Sequence, residues 1–223
     1  MLTEILYLWA CLAPSSVTAN PLSGLHLTSR ASTTKTARFD DLTPVNVLSE
    51  VVNAPEIGSY MGLRWQGFYT IQPGLFSGFL NVGGLLPESG ANAAGYDTLG
   101  SLDTNTGSIT RVITVEPQRT FPPKPATMDL HSFWWGCQFG LKQYVLTAPA
   151  ACNLTIIGSR AFQERTRTTV RFQPILIDLL MNMKLVELGD QFKGLDTLTF
   201  ITQYDVGLNG ATSFDDFTYT INT

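Results

Sequence analysis

The sequence is short of charge, and this shortage narrows the classes of protein to which it can belong. Only 14% of its 223 residues are Asp, Glu, Lys or Arg, against roughly 25% in an average soluble domain. Coiled coils and helical bundles need many Glu and Lys residues, so the composition excludes them. Because 14 basic residues face 18 acidic ones, a basic nucleic-acid-binding protein is excluded too.

The residues that fill the place of the charges favour β structure. Apolar residues make up 44% of the chain, which excludes a disordered acidic protein. Thr, Gly, Val and aromatic residues are abundant, and the β-branched and aromatic types favour strands. The low charge also favours a secreted protein, and the length fits one large domain or two small ones.

The amino terminus has the pattern of a secretory signal. Residues Ile5 to Ala13 form a nine-residue apolar run, and small residues follow up to Ala19. This run is too short to cross a bilayer, which needs about 20 apolar residues. It fits a signal peptide over 1–19, and the alternative is a buried first strand or helix. We expect an extended arm over 20–37, a single β-domain over 38–223, and no membrane span.

The cysteines agree with an oxidising compartment. Cleavage of the signal would remove Cys11 and leave the even pair Cys137 and Cys152. A disulfide between these two would close a 15-residue loop, worth about 3 kcal/mol in the chain-entropy model. The alternative is two reduced, buried thiols. Asn153 begins an Asn-Leu-Thr sequon, an acceptor for N-glycosylation in a eukaryotic secretory route.

Hydrophobic alternation predicts many short strands separated by turn signals, with no alternation of strands and helices. This pattern predicts an all-β fold, an antiparallel β-sandwich or jelly roll with long loops and at most one or two short helices. Within the strand predicted from Cys152, alternation places Cys152 inward and Asn153 outward. The stretch 175–187 is rich in Leu and Met and is followed by Gly189, which predicts a short helix.

Two pairs of aspartates mark the two ends of the predicted domain. Phe39-Asp40-Asp41-Leu42 opens the domain and Phe214-Asp215-Asp216-Phe217 closes it. Because the ends of a domain often lie close together, up to four carboxylates could converge. Ca²⁺ takes six to eight oxygen ligands and would relieve their repulsion. The alternative is that the four apolar residues are core and that the aspartates cap turns or face water.

These motifs belong to an ordered set. Between the two Asp pairs lie Gly-Leu-x-Trp-x-x-Phe at 62–68 and Leu-x-Ser-Phe-x-x-Gly-Cys at 130–137. From about residue 38 to 221 the set resembles secreted, mostly uncharacterised fungal proteins with a galactose-binding-like jelly-roll domain. The resemblance implies a β-sandwich related to carbohydrate-binding modules. It also implies a structural Ca²⁺ near the paired ends of the sheet, held by Asp40, Asp41, Asp215 and Asp216.

The sequence carries no recognisable catalytic motif. Its two histidines, His26 and His131, stand in no zinc-binding arrangement, and neither a Gly-x-Ser-x-Gly elbow nor a phosphate-binding glycine loop occurs. A jelly-roll lyase could still use Tyr144 with Arg167 or Arg171. A polysaccharide hydrolase or lyase is therefore kept as a less favoured alternative.

Tryptophan supplies the best candidates for a binding surface, because the apolar faces of sugar rings stack on exposed aromatic rings. Alternation places Trp135 in the core together with Phe133 and Cys137, so Trp134 faces outward. Trp134 is the first ligand-binding candidate and Trp65 the second. The alternatives are that Trp134 is covered by a loop or by the second sheet, and that Trp65 is core.

Arginines form a second candidate surface. Arg165, Arg167 and Arg171 share one strand face by parity and could form a cationic stripe. Arginine forks bind carboxylates and sulfates bidentately, so Arg167 and Arg171 are candidates for binding an acidic polysaccharide, and the alternative is a solvated strand face.

The function predicted from all these features is a secreted, non-catalytic β-sandwich that binds a polysaccharide, another glycan or a cell-surface partner. The alternative is a structural or effector-type secreted protein that binds no glycan. The oligomeric state stays open.

Overall fold

Fifteen β-strands and one short 3₁₀ helix make up the described part of the chain. The structure, a computed structural model, describes residues 31–44, 55–72, 84–97, 110–118, 126–140, 147–175, 180–205 and 210–223. The predicted signal peptide at 1–19, His26 and Tyr144 lie outside these residues. The strands are β1 Ser32–Ala37, β2 Gly58–Tyr60, β3 Leu63–Gln66, β4 Tyr69–Ile71, β5 Gly84–Leu86, β6 Ala93–Asp97, β7 Thr110–Pro117, β8 Thr127–Gly140, β9 Thr147–Pro149, β10 Cys152–Arg160, β11 Gln163–Phe172, β12 Leu180–Asn182, β13 Lys184–Glu187, β14 Thr197–Tyr204 and β15 Gly210–Asn222.

Two antiparallel sheets form the layers of the fold, and they confirm the predicted all-β sandwich. The seven-stranded sheet has the order β13-β8-β15-β6-β4, with β1 paired to β15 and β9 paired to β8. The six-stranded sheet has the order β11-β10-β14-β7-β3-β2. A parallel pair, β12 and β5, forms the third sheet.

The long strand β15 organises the seven-stranded sheet. Strand β8 pairs with it over nearly its whole length on one side. On its other side, β6 pairs with residues 211–214 and β1 with residues 217–222. Asp215 and Asp216 therefore lie where β15 changes partners, at an irregularity of its register. Residues 32–37 of the predicted arm are extended and paired, so this part of the arm belongs to the sheet.

Aromatic rings from both sheets fill the space between the layers. Phe133 and Phe217 from the seven-stranded sheet contact Phe200 from the six-stranded sheet, with ring centroids 6.0 and 6.1 Å apart. Phe39, Phe214 and the other largest side chains of this cluster are completely buried. Leu42 packs against the cluster from its margin. The apolar residues that flank the two Asp pairs are thus core.

The helix predicted over 175–187 is wrong for the residues that the structure describes. Residues 180–182 form β12 and residues 184–187 form β13. Strand β13 pairs antiparallel with the edge of β8, and β12 pairs in parallel with β5. Leu and Met fit both helices and strands, so the free backbone groups at the edge of β8 decide the conformation rather than local propensity.

The predicted disulfide between Cys137 and Cys152 is present and joins β8 to β10. Both cysteines are completely buried, so the bond links the two layers of the sandwich through the core. The sequence separation of 15 residues gives an expected stabilisation of about 3 kcal/mol in the chain-entropy model.

Candidate binding site

Trp134 lies in a row of cross-strand neighbours on the outer face of the seven-stranded sheet. Its partner on β13 is Leu185 and its partner on β15 is Asp215. Trp134 is half-buried and packs against the margin of the core, whereas Trp135 is completely buried. This alternation is the one that the sequence predicts.

A groove of about 690 Å³ opens beside Trp134. Ligand pockets in proteins commonly have volumes of about 300–1,000 Å³. Three apolar side chains of the groove are notably exposed, Ile175 at 60%, Leu180 at 40% and Leu185 at 39%. The remaining lining comes from Phe172, Met181 and Met183 and from the polar residues Gln173, Asn182 and Lys184. The groove therefore combines an aromatic ring, apolar walls and polar groups that can direct a ligand.

The polar groups of the groove differ in whether they already form hydrogen bonds within the protein. Gln173 Oε1 accepts a hydrogen bond from the Arg171 guanidinium at 2.9 Å, and Lys184 Nζ donates to the Arg171 carbonyl at 3.4 Å. The side-chain amide of Asn182 makes no hydrogen bond to any residue in the described ranges. An amide offers both donors and an acceptor, so Asn182 is the polar group most available to a ligand.

Gly136 positions the neighbouring strand β5 against the sheet. A Cβ at Gly136 would lie 2.8 Å from a methyl carbon of Leu85, so a larger residue would push Leu85 away. The Leu85 N–H also donates to the Gln138 side chain at 3.3 Å. Because β5 pairs with β12, the glycine of the Gly-Cys motif supports one wall of the groove.

Trp65, the second predicted ligand candidate, is completely buried. Its ring makes edge contacts with Phe39 at 5.1 Å, Phe68 at 5.4 Å and Phe217 at 5.1 Å between centroids. Its indole N–H donates to the Tyr60 carbonyl at 3.2 Å. Trp65 is therefore a core residue and presents no surface to a ligand.

Arg167 and Arg171 lie on one exposed strand face, as parity predicts, but both are already paired. Arg167 forms two hydrogen bonds of 2.9 Å with the Glu164 carboxylate. Arg171 binds both carboxylate oxygens of Asp205, and Asn153 Oδ1 accepts a further bond from it at 3.2 Å. Hydrogen bonds to the partner carboxylates raise the pKa of both guanidinium groups. Two of the three arginines of the stripe, Arg167 and Arg171, are thus neutralised within the molecule and are poor ligand sites.

Asn153 faces outward next to the disulfide, as its parity predicts. Cys152 is buried and Asn153 is half-buried. The Asn153 side chain is accessible from the outer face of β10, where a glycan could attach. Glycosylation at this residue stays a prediction.

In the first Asp pair, Asp40 holds the loop between β5 and β6 and Asp41 binds a tyrosine of β2. Asp40 Oδ1 accepts hydrogen bonds from the backbone N–H groups of Ala91 at 2.9 Å and Asn92 at 3.1 Å. Asp41 accepts a 2.6 Å hydrogen bond from the Tyr60 hydroxyl. Burial, followed by this bond, raises the pKa of Tyr60 to about 12.

The second Asp pair holds the same loop from the other side. Asp215 Oδ2 accepts a hydrogen bond from the Ser89 N–H at 2.8 Å, and the Ser89 hydroxyl donates to Asp216 at 2.9 Å. Asp216 also lies 3.4 Å from the Arg38 guanidinium. We call the four aspartates and the loop residues Ser89–Asn92 the Asp clasp.

Asp215 is the most buried charge of the clasp, with no exposed surface. Its Oδ1 accepts a hydrogen bond from the Asp216 N–H at 2.8 Å. Burial raises the pKa of Asp215 to about 6, although the backbone donors of Ser89 and Asp216 oppose the shift. Asp216 itself adopts a left-handed backbone with φ 43°.

The clasp carboxylates are occupied mostly by hydrogen-bond donors. In the described ranges, no three His, Cys, Asp or Glu side chains are grouped in a way that could hold a metal ion. One further oxygen adjoins the clasp: Asn92 Oδ1 is buried and has no hydrogen-bond partner among the described residues. The amide nitrogen of the same side chain donates to the Leu42 carbonyl at 2.9 Å.

His131 lies apart from any catalytic arrangement in the described part of the chain. Its Nε2 lies 2.8 Å from the Thr220 hydroxyl, between β8 and β15. Tyr144, the tyrosine of the lyase alternative, lies outside the described ranges.

Sequence reasoning missed most of the groove and half of the clasp. The groove residues Leu180, Asn182 and Leu185 fall within the stretch predicted as a helix. Their only sequence signal was Met-Asn-Met, a polar residue between apolar ones. The clasp loop Ser89–Asn92 is rich in small residues and shows no pattern that would reveal its role as the partner of both Asp pairs.

No helix in the described residues is long and apolar enough to cross a membrane.

Comparison with known proteins leaves the family open. No protein-family model matches the chain, and no curated protein matches it either. The solved structures that are similar in fold include the following three. The carbohydrate-binding module TmCBM61, in complex with β-1,4-galactotriose, has 11% identity and a TM-score of 0.37, and the match covers 73% of this chain and 90% of the module.

The other two structures are similarly distant. A DUF4465 family protein from Bacteroides caccae has 9% identity and a TM-score of 0.46, with 89% of this chain and 96% of that protein covered. The arabinose-bound α-L-arabinofuranosidase MgGH51 has 12% identity and a TM-score of 0.40, with 82% and 25% covered.

Proposed function

We propose that the chain is a secreted, non-catalytic β-sandwich protein that binds carbohydrate in the groove beside Trp134. The observation that carries the proposal is a half-buried tryptophan in one groove with the Asn182 amide, which has no hydrogen-bond partner among the described residues. An aromatic ring offers a surface for the apolar face of a sugar ring. A few well-placed polar groups then fix its orientation.

The alternative is a structural or effector-type secreted protein that binds no glycan. A glycan array and pull-down on insoluble polysaccharides separate the two functions. We expect the wild-type protein to bind at least one glycan, and Trp134→Ala to weaken that binding at least tenfold. Phe162→Ala is the control, because it removes an exposed aromatic ring from a hairpin turn outside the groove. Absence of binding to any glycan would favour the alternative, and undiminished binding by Trp134→Ala would exclude this groove.

Secretion is part of the proposal, and the buried disulfide between Cys137 and Cys152 supports it, since disulfides persist mainly in oxidising compartments. Expression of the full chain in a eukaryotic secretory host tests it. The secreted protein should begin after Ala19 and lose mass on treatment with an N-glycosidase, and Asn153→Gln should abolish that loss. A protein retained in the cytosol with free thiols would contradict the proposal.

A structural Ca²⁺ at the Asp clasp is proposed as a separate feature. The buried Asn92 Oδ1 beside Asp40 supports it, because this oxygen has no partner in the described ranges and amide and carboxylate oxygens are the ligands that Ca²⁺ prefers. Calorimetric titration of the chelator-treated protein should show heat, and the melting temperature should rise. Asn92→Ala should reduce both effects. Neither heat nor a change in melting temperature would show that the carboxylates serve only as hydrogen-bond acceptors.

A further inference from the structure

The turn between β10 and β11 exposes one aromatic ring completely. Phe162 is 99% exposed, whereas the rings of Phe133, Phe172 and Phe200 are at most 1% exposed. Phe162 and the preceding Ala161 form the two-residue tip of the hairpin. A fully solvated phenylalanine gains no packing energy within the chain, so the folded state alone gives no reason for its presence.

The backbone of this tip is also unfavourable for its residues. Ala161 has φ 52° and Phe162 has φ 63°, and two-residue hairpin turns of this kind favour Asn-Gly or Gly-Gly. A bulky residue at positive φ is a genuine outlier. Such outliers cluster at sites of function, and here the outlier coincides with the most exposed ring of the described chain.

The base of the hairpin is fixed, so the ring is held in position rather than loosely attached. The Asp196 carboxylate accepts a hydrogen bond from the Ala161 N–H at 2.6 Å, and the Asp196 N–H donates to the Ser159 carbonyl at 3.0 Å. Gly158 allows Leu195 to pack closely beneath, since a Cβ there would lie 2.5 Å from a Leu195 methyl carbon.

Positive charge flanks the ring. Arg160 and Arg165 are exposed and make no ion pair with any described residue. The neighbouring Arg167 and Glu164 neutralise each other. Asp196 supplies one negative charge at the base, so the tip keeps one excess positive charge. An exposed aromatic ring with two exposed arginines close to it along the chain fits a surface that is apolar inside and anionic outside.

We propose that this hairpin tip inserts Phe162 into the interfacial region of an anionic lipid bilayer. A sugar stacks on one face of a ring and leaves the other face in water. Insertion into lipid instead removes both faces and the edge of the ring from water, which matches an exposure of 99%. Phe has no hydroxyl or N–H that would direct a ligand, and the two exposed arginines next to the turn can pair with lipid phosphates.

Co-sedimentation with vesicles tests the proposal on the full chain. One vesicle is pure phosphatidylcholine and the other contains about one third phosphatidylserine. We expect binding to the anionic vesicle that falls as salt is raised. Phe162→Gly should reduce it at least tenfold, from the apolar area removed from lipid, and Phe162→Trp should preserve it. Replacing both Arg160 and Arg165 by Gln should reduce it about 25-fold, at roughly fivefold for each charge.

Two controls distinguish a loss of vesicle binding from unfolding and from changes at the groove. Phe162→Gly relieves the unfavourable φ and should melt at or above the wild-type temperature, so loss of binding by a folded variant reports the ring. Trp134→Ala should bind vesicles as the wild type does. Three results would overturn the proposal: equal binding to both vesicles, undiminished binding by Phe162→Gly, or no vesicle binding alongside binding to an acidic protein or polysaccharide that requires Phe162.

Discussion

Trp134 and Asp215 are direct partners across β8 and β15, yet their surroundings differ. Asp215 is completely buried, and both of its carboxylate oxygens accept hydrogen bonds from the Ser89 and Asp216 N–H groups. Trp134 is half-buried and borders a groove in which the Asn182 amide has no partner within the described part of the chain. The carboxylate of the first residue is satisfied by hydrogen bonds within the fold, whereas the ring of the second borders a groove that is open to solvent.

Breaking the clasp should have the largest effect on stability. Gly90 has φ +49°, and a Cβ there would lie 1.9 Å from Asp40 Oδ1. Gly90→Ala should therefore displace Asp40 from Ala91 and Asn92 and lower the free energy of unfolding by about 3–4 kcal/mol. Denaturant unfolding measures this change.

Gly194→Ala is the matched control for that variant. Gly194 also has a positive φ of +66°, but the nearest atom to its Cβ, Arg160 Nη1, is 3.5 Å away. Gly194→Ala should lower the free energy of unfolding by only about 1 kcal/mol, because only the backbone conformation becomes unfavourable. Equal losses in the two variants would show that the contact with Asp40 contributes nothing.

The pH dependence of stability tests Asp215 next. Burial raises its pKa to about 6 in the folded protein, above the value of about 3.9 in an unfolded chain. The folded state binds this proton more tightly than the unfolded state does. The resulting contribution of Asp215 to the free energy of unfolding is therefore complete below about pH 4 and is lost as the pH rises through about 6. The loss should reach up to about 3 kcal/mol.

Unfolding measured between pH 4 and pH 8 in the wild type and in Asp215→Asn checks this. Asp215→Asn cannot bind or release a proton at this position, so its free energy of unfolding should change less with pH over the same interval. A wild-type stability that rises steadily across the interval would contradict the assignment.

Removing the groove tryptophan should weaken glycan binding more than stability, the reverse of what is expected for Gly90→Ala. Trp134→Ala should weaken glycan binding at least tenfold, about 1.4 kcal/mol or more, and cost less stability than Gly90→Ala because the ring is only half-buried. Gly90→Ala should change binding by no more than about twofold. Isothermal titration of both variants with the same glycan measures this difference in affinity. If both variants lose glycan affinity to the same extent, the clasp and the groove belong to one site.

The smallest effect is expected at Asn182. Asn182→Ala should weaken glycan binding about fivefold, the value of one hydrogen bond, and leave the melting temperature unchanged because the side chain is exposed. Asn153→Ala is the control, since Asn153 lies on the other sheet. If both variants bind like the wild type, Asn182 is no ligand contact.

The comparison also shows which features can be predicted from the sequence. Two-residue periodicity correctly separated Trp134 from Trp135, and the even pair of cysteines gave the disulfide. The shared pattern around Asp40 and Asp215 correctly indicated that the two ends of the domain are structurally linked. These signals depend on neighbours along the strand, or on a pattern that recurs in the chain.

Features that depend on distant partners were not predictable. Strands β12 and β13 exist because β5 and the edge of β8 offer backbone partners, and 180–187 alone does not encode those partners. The Ser89 N–H acts through its backbone, so its side chain gives no signal. The positive φ values of Ala161 and Phe162 contradict local preference, since Asn or Gly would be expected there.

Iodide quenching of tryptophan fluorescence tests the central claim most directly, using protein that begins at Asn20. Of Trp65, Trp134 and Trp135, only Trp134 has exposed surface, so we predict one quenchable fraction, which disappears in Trp134→Phe. A bound glycan should protect that fraction from iodide. If a glycan binds and the quenching of Trp134 stays unchanged, the groove is not the binding site.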